Sequence, residues 1–407
     1  MSSLADRYHS ALRQRAGLRA ATAVEAVDAL LETAVENRVS DIHLIPDAAG
    51  LVMNWRIDGV LHAVDRIDPE IAPNMAARLK VLAELLTYRT EVPQEGRLRW
   101  PDPHSPGARS DVEMRLSTFP TLYGEKAVVR LFVGSGTYRW LDDLGLPAET
   151  ADGLRATLQE SSGLLVVCGP AGSGKTTTIY ACLRELTDKS GAVRSLVSLE
   201  DPIEAVVPGV AQSQINAVAG FDYATGLRSL MRQDPEVILV GEIRDRKTAE
   251  TVFQAALTGH LVLTTFHAGS AAGAICRLSE MGIEPYLLRT GLQGLLAQRL
   301  VRRLCSCSSP VAEDTGRLGL PVTEARQPAG CPECRTTGYR GRLLLTEFLK
   351  PSTDELGRAI LSRDDAATIE ALAVRAGMKT RWQQALLAIE SGQTSPAEVR
   401  RVFGWQT

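Results

Sequence analysis

No run of about 18 apolar residues occurs anywhere in the 407-residue chain, so no stretch reads as a membrane-spanning helix. The first twenty residues, Met1 to Ala20, are polar and charged and lack the apolar centre of a secretory signal, so the chain is expected to stay in the cytoplasm. Blocks of lysine and arginine are lacking too, and the formal net charge is only −3. The electrostatic footprint of a nucleic-acid-binding protein is therefore missing, and nucleic acid is not expected as the main partner. Internal repeats and low-complexity segments are absent. The seven cysteines suit a reducing compartment as thiols or metal ligands, not a disulfide framework. Cys168, Cys182 and Cys276 are scattered, and the other four fall in two close pairs. What remains is a chain that is 44% hydrophobic with mixed charge, long enough for two or three domains that each bury a core.

Apolar spacing predicts a helix over Val24 to Asn37, followed by strands at Asp41 to Ile45 and Leu51 to Arg56, with Ile57-Asp-Gly59 as a turn between strands. Ile71 to Leu86 reads as an amphipathic helix, and Asp111 to Leu116 and Ala127 to Phe132 as two more strands, which makes the first part of the chain α+β. Gly134-Ser-Gly136 marks a flexible joint. Beyond it, short apolar runs at Leu164 to Val167, Leu196 to Leu199, Val237 to Val240 and Leu261 to Thr265 alternate with helical stretches, the pattern of a parallel sheet. Near Val301 a cysteine-containing excursion interrupts this pattern, a strand-like segment returns at Arg342 to Leu349, and small helices finish the chain.

The first of these buried runs feeds directly into Gly169, Pro170, Ala171, Gly172, Ser173, Gly174, Lys175 and Thr176, with Thr177 opening a helix. Strand, glycine-rich loop and helix in that order make a Walker A site for a nucleoside triphosphate. Backbone N–H groups at the helix N-terminus close around phosphates, Lys175 reaches the β and γ phosphates, and the Thr176 hydroxyl is placed for Mg²⁺. Past the next run lie Glu200, Asp201 and Glu204, at the strand end where open α/β sheets hold ligands. Glu200 is the candidate for orienting the attacking water, although acids beside a proline also read as an ordinary turn. The third run ends in Gly241-Glu242, so Glu242 supplies the Walker B charge for Mg²⁺ where many such enzymes carry aspartate one residue earlier. The fourth run ends near His267, placed either to sense the γ phosphate or as a structural histidine.

Taken together these phrases resemble the secretion ATPase superfamily, in the GspE/PilB branch that powers type II secretion and type IV pilus assembly. The resemblance rests on the Walker A loop, Glu200-Asp-Pro-Ile-Glu204, Arg228-Ser-Leu-Met-Arg-Gln-Asp-Pro235, Val240-Gly-Glu-Ile-Arg-Asp245 and Gly259-His-Leu-Val-Leu-Thr-Thr-Phe-His267. Upstream, Ser40-Asp-Ile-His43, Arg56-Ile-Asp-Gly59, Gln94-Glu-Gly-Arg97 and Gly124-Glu125 extend it over nearly the whole chain. It implies an α/β fold: a PAS-like α+β domain over residues 23–135 after a tail of 1–22, then a RecA-like P-loop ATPase domain over 136–407. That domain would include a tetracysteine subdomain at 301–341 and C-terminal helices at 350–407. It also implies a homo-hexamer at the inner face of the cytoplasmic membrane, acting through an inner-membrane platform protein. ATP would bind between the two domains, with Arg115, Arg130, Arg228 and Arg232 brought to its phosphates, a task suited to a permanently charged fork. Arg244, inside the Walker B phrase, pairs structurally on this reading.

The chain departs from the family pattern in three places. Longer relatives begin with an additional domain that docks the motor, and with barely twenty residues ahead of the PAS-like region that domain is expected to be absent. Ala268-Gly-Ser270 follows His267 where relatives carry more polar residues. Relatives of the assembly branch carry two C-x-x-C pairs, which the retraction branch generally lacks; here Cys331-Pro-Glu-Cys334 keeps that spacing and Cys305-Ser-Cys307 is one residue short. Four thiolates would close the sphere of a structural Zn²⁺ and staple a loop; four free thiols are the alternative. A retraction motor and a conjugation-type secretion motor remain the rival functions for the same fold.

Overall fold

The computed structural model describes residues 3–16, 21–100, 112–131, 138–188, 194–351 and 354–405. The chain divides into two compact units, Met1–Gly134 and Ser135–Thr407. The expected joint at Gly134-Ser-Gly136, and the outer ends Asp111 and Phe132 of two predicted strands, lie outside the described residues.

In the first unit, helices α1 (Leu4–Ala16) and α2 (Ala23–Glu36) precede strands β1 (Asp41–Asp47), β2 (Gly50–Ile57) and β3 (Val60–Ile67). Helix α3 (Ala72–Leu82) leads to β4 (Gln94–Trp100), β5 (Val112–Thr121) and β6 (Gly124–Leu131). The six strands form one antiparallel sheet in the order β3-β2-β1-β6-β5-β4. Helix α2 starts at a capping box in which Thr22 and Glu25 each satisfy the other's backbone N–H. Its Val27, Leu30 and Leu31 are buried with Ile42, Leu44, Trp55 and Val129 of the sheet.

The segment read as a tail contains a helix. Leu4, Tyr8, Ala11 and Leu12 fall on one face of α1, and Tyr8 is buried in the same core. The charges that masked this pattern are satisfied on α2 and the residue that ends it: Arg15 Nη2 donates to Glu32 Oε2 at 2.8 Å and Arg7 Nη1 to Asn37 Oδ1 at 3.1 Å. Several of the upstream motif residues are likewise partners of one another. Asp41 accepts from Arg130 Nε at 2.9 Å and pairs with Arg56 Nε at 3.5 Å. Lys80, completely buried, donates to Glu125 Oε1 at 2.9 Å and to the Arg89 carbonyl at 2.8 Å, the compensation a buried ammonium needs.

The second unit opens with α4 (Ala148–Leu158) and then alternates β7 (Gly163–Cys168), α5 (Lys175–Asp188), β8 (Leu196–Glu200), β9 (Val210–Gln214), α6 (Tyr223–Leu230), β10 (Val237–Glu242), α7 (Arg246–Leu257), β11 (Leu261–Phe266), α8 (Ala271–Glu280) and α9 (Pro285–Gly291). With β12 (Leu292–Leu304) and β15 (Tyr339–Leu349) these strands make a seven-stranded sheet in the order β15-β12-β7-β11-β10-β8-β9. All neighbours are parallel except β12 and β15. The four predicted runs are β7, β8, β10 and β11, and they are apolar throughout because both faces of the sheet are covered. Leu165, Val167, Leu239 and Leu263 face Ile179 and Leu183 of α5, while Leu164, Val166, Ile238 and Val262 face Val252 and Phe253 of α7. Strands β3, β4, β9 and β12 match none of the segments predicted as strands.

Between β12 and β15 the excursion carries the two-residue strands β13 (Ser309–Pro310) and β14 (Arg326–Gln327). Helices α10 (Asp354–Ser362), α11 (Ala366–Arg375), α12 (Arg381–Glu390) and α13 (Pro396–Phe403) complete the chain. Leu320 and Val322 of the excursion are buried with Ala385 and Ile389 of α12 and Val399 of α13. Glu398, fully buried on α13, accepts from Arg302 Nη2 of β12 at 2.8 Å and from Arg401 Nη2 at 2.6 Å. The architecture is the mixed α/β fold that the sequence led us to expect. No helix among the described residues is long and apolar enough to cross a membrane.

Candidate active site

The parallel topology brings the C-terminal ends of β7, β8, β10 and β11 to one edge of the sheet, where ligands of open α/β folds bind. At the end of β7 the Walker A loop turns through left-handed backbone at Gly172 (φ 72°) and Gly174 (φ 91°) into α5. Lys175, on the first turn of α5, is buried and donates from Nζ to the carbonyls of Gly169 at 2.9 Å and Pro170 at 3.0 Å. Burial pulls its ammonium below the ordinary lysine range, and the Glu242 charge opposes that shift. Thr176 and Thr177 are exposed beside it.

Glu242 ends β10 and accepts from Arg244, whose Nη1 also reaches Asp201 Oδ2 at 3.3 Å. Arg244 thus has the pairing role expected of it and ties the Walker B strand to the turn after β8. His267, just past β11, lies 3.4 Å from Glu242 Oε2 through its Nε2. Its imidazole is held below the ordinary histidine range by burial first and by the Lys175 charge second, with Glu242 acting against both. Lys175, Glu242 and His267 therefore share one electrostatic site although the sequence separates them widely.

Glu200 ends β8 but is nearly inaccessible, at 4% exposure. Its carboxylate accepts from Tyr180 Oη, from Ser198 Oγ at 2.6 Å and from Gln212 Nε2 at 3.0 Å. The same Tyr180 oxygen accepts from the N–H of Glu204 at 3.1 Å, so a residue one turn beyond Lys175 on α5 braces the whole acidic turn. Asp201 belongs to the acidic turn expected at this strand end, whereas nothing in the sequence pointed to Tyr180, Ser198 or Gln212 as parts of the site; only their spacing from Lys175 and Glu200 could have suggested a search there.

The glycine at position 241 has a steric reason. A Cβ there would meet Tyr223 Oη at 2.8 Å, the Leu199 carbonyl at 3.3 Å and Glu200 Cα at 3.4 Å. An aspartate does not fit between β8 and Tyr223, which leaves the charge to Glu242.

Of the candidate arginines, Arg228 lies in the last turn of α6 and Arg232 donates to the Arg228 carbonyl at 2.9 Å; both are exposed. Arg115 and Arg130 belong to the first unit, directly opposite each other on β5 and β6, with Arg115 paired to Glu95 Oε2 at 2.5 Å.

A second cluster lies where β12 gives way to the excursion. The sulfurs of Cys305, Cys307, Cys331 and Cys334 all lie within 4.8 Å of one another, with Cys305 to Cys331 at 3.7 Å, Cys307 to Cys334 at 3.8 Å and Cys331 to Cys334 at 3.7 Å. Four sulfurs at about 2.3 Å from a tetrahedral Zn²⁺ would be separated by about 3.8 Å, so this donor set fits that ion. Strand pairing places them: Leu304 is in register with Tyr339, and the Cys305 N–H donates to the Gly338 carbonyl at 2.9 Å. The missing residue between Cys305 and Cys307 therefore does not keep their sulfurs out of reach. Burial pushes the Cys334 thiol up, but the N–H groups of Cys331 and Gly338 more than offset it and bring it down to about 7. Such a thiol is readily a thiolate ligand.

Comparison with known proteins agrees with this geometry. A family model described as "Type II/IV secretion system protein" matches residues 18–401. The chain is 40% identical over 384 residues to type II secretion system protein E of Pectobacterium carotovorum, covering 93% of this chain and 75% of that one. It is 38% identical over 386 residues to type II secretion system ATPase E of Vibrio cholerae, again covering 93% and 75%. Among solved structures, the ATPase DotB of Legionella pneumophila superposes with a TM-score of 0.67 at 20% identity, covering 92% of this chain and 94% of that one, a likeness of fold. A Walker A loop on a seven-stranded sheet, a four-sulfur cluster and a match along almost the whole sequence lead to one assignment: the chain belongs to the type II/IV secretion system protein family.

Proposed function

We propose that this chain is an ATP-hydrolysing motor that works as a homo-hexamer in type II protein secretion or type IV pilus assembly. The observation that carries the ATPase reading is the convergence of Lys175, Glu242 and His267 at one sheet edge beside the Walker A loop. The likeness to type II secretion system ATPase E of Vibrio cholerae supports it. On this reading the loop from Gly169 to Thr177 holds the triphosphate of ATP and Lys175 reaches its terminal phosphates. Thr176 and Glu242 offer the hard oxygen donors that Mg²⁺ takes, and the ion when bound neutralises charge on the phosphates. Glu200 orients the attacking water, its carboxylate fixed by Tyr180, Ser198 and Gln212, and His267 hydrogen-bonds near the γ phosphate. Arg115, Arg130, Arg228 and Arg232 offset the phosphate charge when domains close, which couples positioning to movement. The motion is passed to an inner-membrane platform protein from the cytoplasmic face. The four cysteines hold a structural zinc and favour the export and assembly branch over retraction.

The test is steady-state ATP turnover with nucleotide binding measured in parallel. Lys175→Ala should lose binding or turnover, and Glu242→Gln should keep binding while hydrolysis slows by at least about 100-fold. Parental turnover in Glu242→Gln would sink the Walker B assignment.

A further inference from the structure

Beside Pro170 of the Walker A loop lies an open cavity of about 470 Å³ whose wall includes Pro170, His267 and Phe403 and three guanidinium groups, those of Arg277, Arg299 and Arg381. No acidic residue lines it. Arg381, nine-tenths buried, donates from Nε to Glu347 Oε1 at 2.9 Å. Arg277 and Arg299 donate to carbonyls, Arg277 Nη1 to His267 O at 2.7 Å and Arg299 Nη2 to Val402 O at 3.0 Å, and the Arg277 guanidinium also lies 5.6 Å from the centre of the Phe266 ring. Neither has a carboxylate partner among the described residues. Burial and the positive charges of Arg381 and Arg401 both pull the Arg299 guanidinium below its ordinary range, so the group sits in an unfavourable positive field.

The position of the cavity says which anion that field is built for. Pro170 belongs to the loop that takes the ATP phosphates, and His267 is the partition, its ring turned toward Glu242 and its carbonyl anchoring Arg277. An oxyanion leaving the γ-phosphate position past His267 would pass from Lys175 to Arg277 and Arg299. Guanidinium groups bind phosphate through paired hydrogen bonds, and partly desolvated ones bind it more strongly. We propose that this cavity is a binding site for the inorganic phosphate that hydrolysis produces, held by Arg277, Arg299 and Arg381. The inference rests on the ATPase reading above and adds to it a station for the product distinct from the Walker A loop.

The experiment separates the two sites by using Lys175→Ala, in which the Walker A loop no longer holds phosphate strongly. Titration calorimetry with inorganic phosphate at constant ionic strength should show saturable binding to that variant, unaffected by replacing chloride with acetate. Adding Arg299→Gln should weaken the binding at least tenfold, and adding the exposed Arg277→Gln, which folds without repacking a core, should weaken it in the same direction. In the otherwise unaltered protein, Arg299→Gln should leave single-turnover ATP cleavage at the parental rate while raising the inhibition constant for phosphate at least tenfold. Loss of all phosphate binding with Lys175→Ala alone, or undiminished binding in both double variants, would overturn the proposal while leaving the ATPase reading intact. Absence of ATP turnover in the parent protein would overturn that reading instead, since the calorimetric result does not depend on it.

Discussion

Replacing Gly241 by alanine tests whether close packing, and not backbone conformation, keeps a side chain out of the Walker B strand. Position 241 lies inside β10 and carries no left-handed backbone, so any residue could adopt its conformation. Space is the obstacle: the added methyl would meet the Tyr223 hydroxyl at 2.8 Å and the backbone of β8 at 3.3 Å and 3.4 Å. Tyr223 is buried among Leu199, Leu227 and Val240 and has little room to withdraw. Overpacking of this kind costs about 1–3 kcal/mol. Because the nearest obstacle is the phenol oxygen, Tyr223→Phe should recover most of that loss, leaving only the milder contacts with β8. The assay is urea unfolding of the four proteins in the double-mutant cycle, with ATP turnover followed in each. Gly241→Ala should lower the unfolding free energy by about 1–3 kcal/mol and reduce turnover through displacement of Glu242 and Glu200, and the double variant should sit well above the sum of the singles. An alanine variant as stable and active as the parent, or a loss that Tyr223→Phe does not relieve, would refute the steric explanation.

Metal analysis of protein purified without chelator should find about one zinc per chain, lost when Cys331 and Cys334 are both changed to serine, with ATP binding largely kept. Four freely reactive thiols and no metal would show that the cluster is only a set of neighbours. Glu398 should matter for acid stability. Burial raises its carboxyl, but hydrogen bonds from Arg401 and Arg302 prevail and hold it below its ordinary value of 4.5. Its contribution should then be complete above about pH 4.5 and disappear as pH falls through the lower value of the folded protein. Glu398→Gln, which leaves Arg302 without its charge partner, should cost about 3 kcal/mol near neutral pH and flatten this acid limb in thermal unfolding. An unchanged limb would place the titration elsewhere.

Much of the fold was legible because its signals are local. Both-sided burial forces β7, β8, β10 and β11 to be apolar along their whole length, and a glycine-rich loop between strand and helix needs only eight consecutive residues to be recognised. The same locality set the limits. Helix α1 was hidden by its charges, although Leu4, Tyr8, Ala11 and Leu12 carried the helical spacing, because the residues that satisfy those charges lie on and just beyond α2. The sequence named Glu200, Glu242, Lys175 and His267 as candidates, but it could not say that Glu242 and His267 would meet while Glu200 would be gripped by Tyr180, Ser198 and Gln212. Those contacts depend on the order in which the strands assemble, and strand order is fixed by packing between elements distant in the chain. The cysteines make the point most clearly. Spacing along the chain counted against Cys305 and Cys307, whereas the register of β12 with β15 brings a pair 26 residues apart to 3.7 Å. A ligand set is made in space, and a backbone ladder can supply the geometry that a short sequence motif lacks.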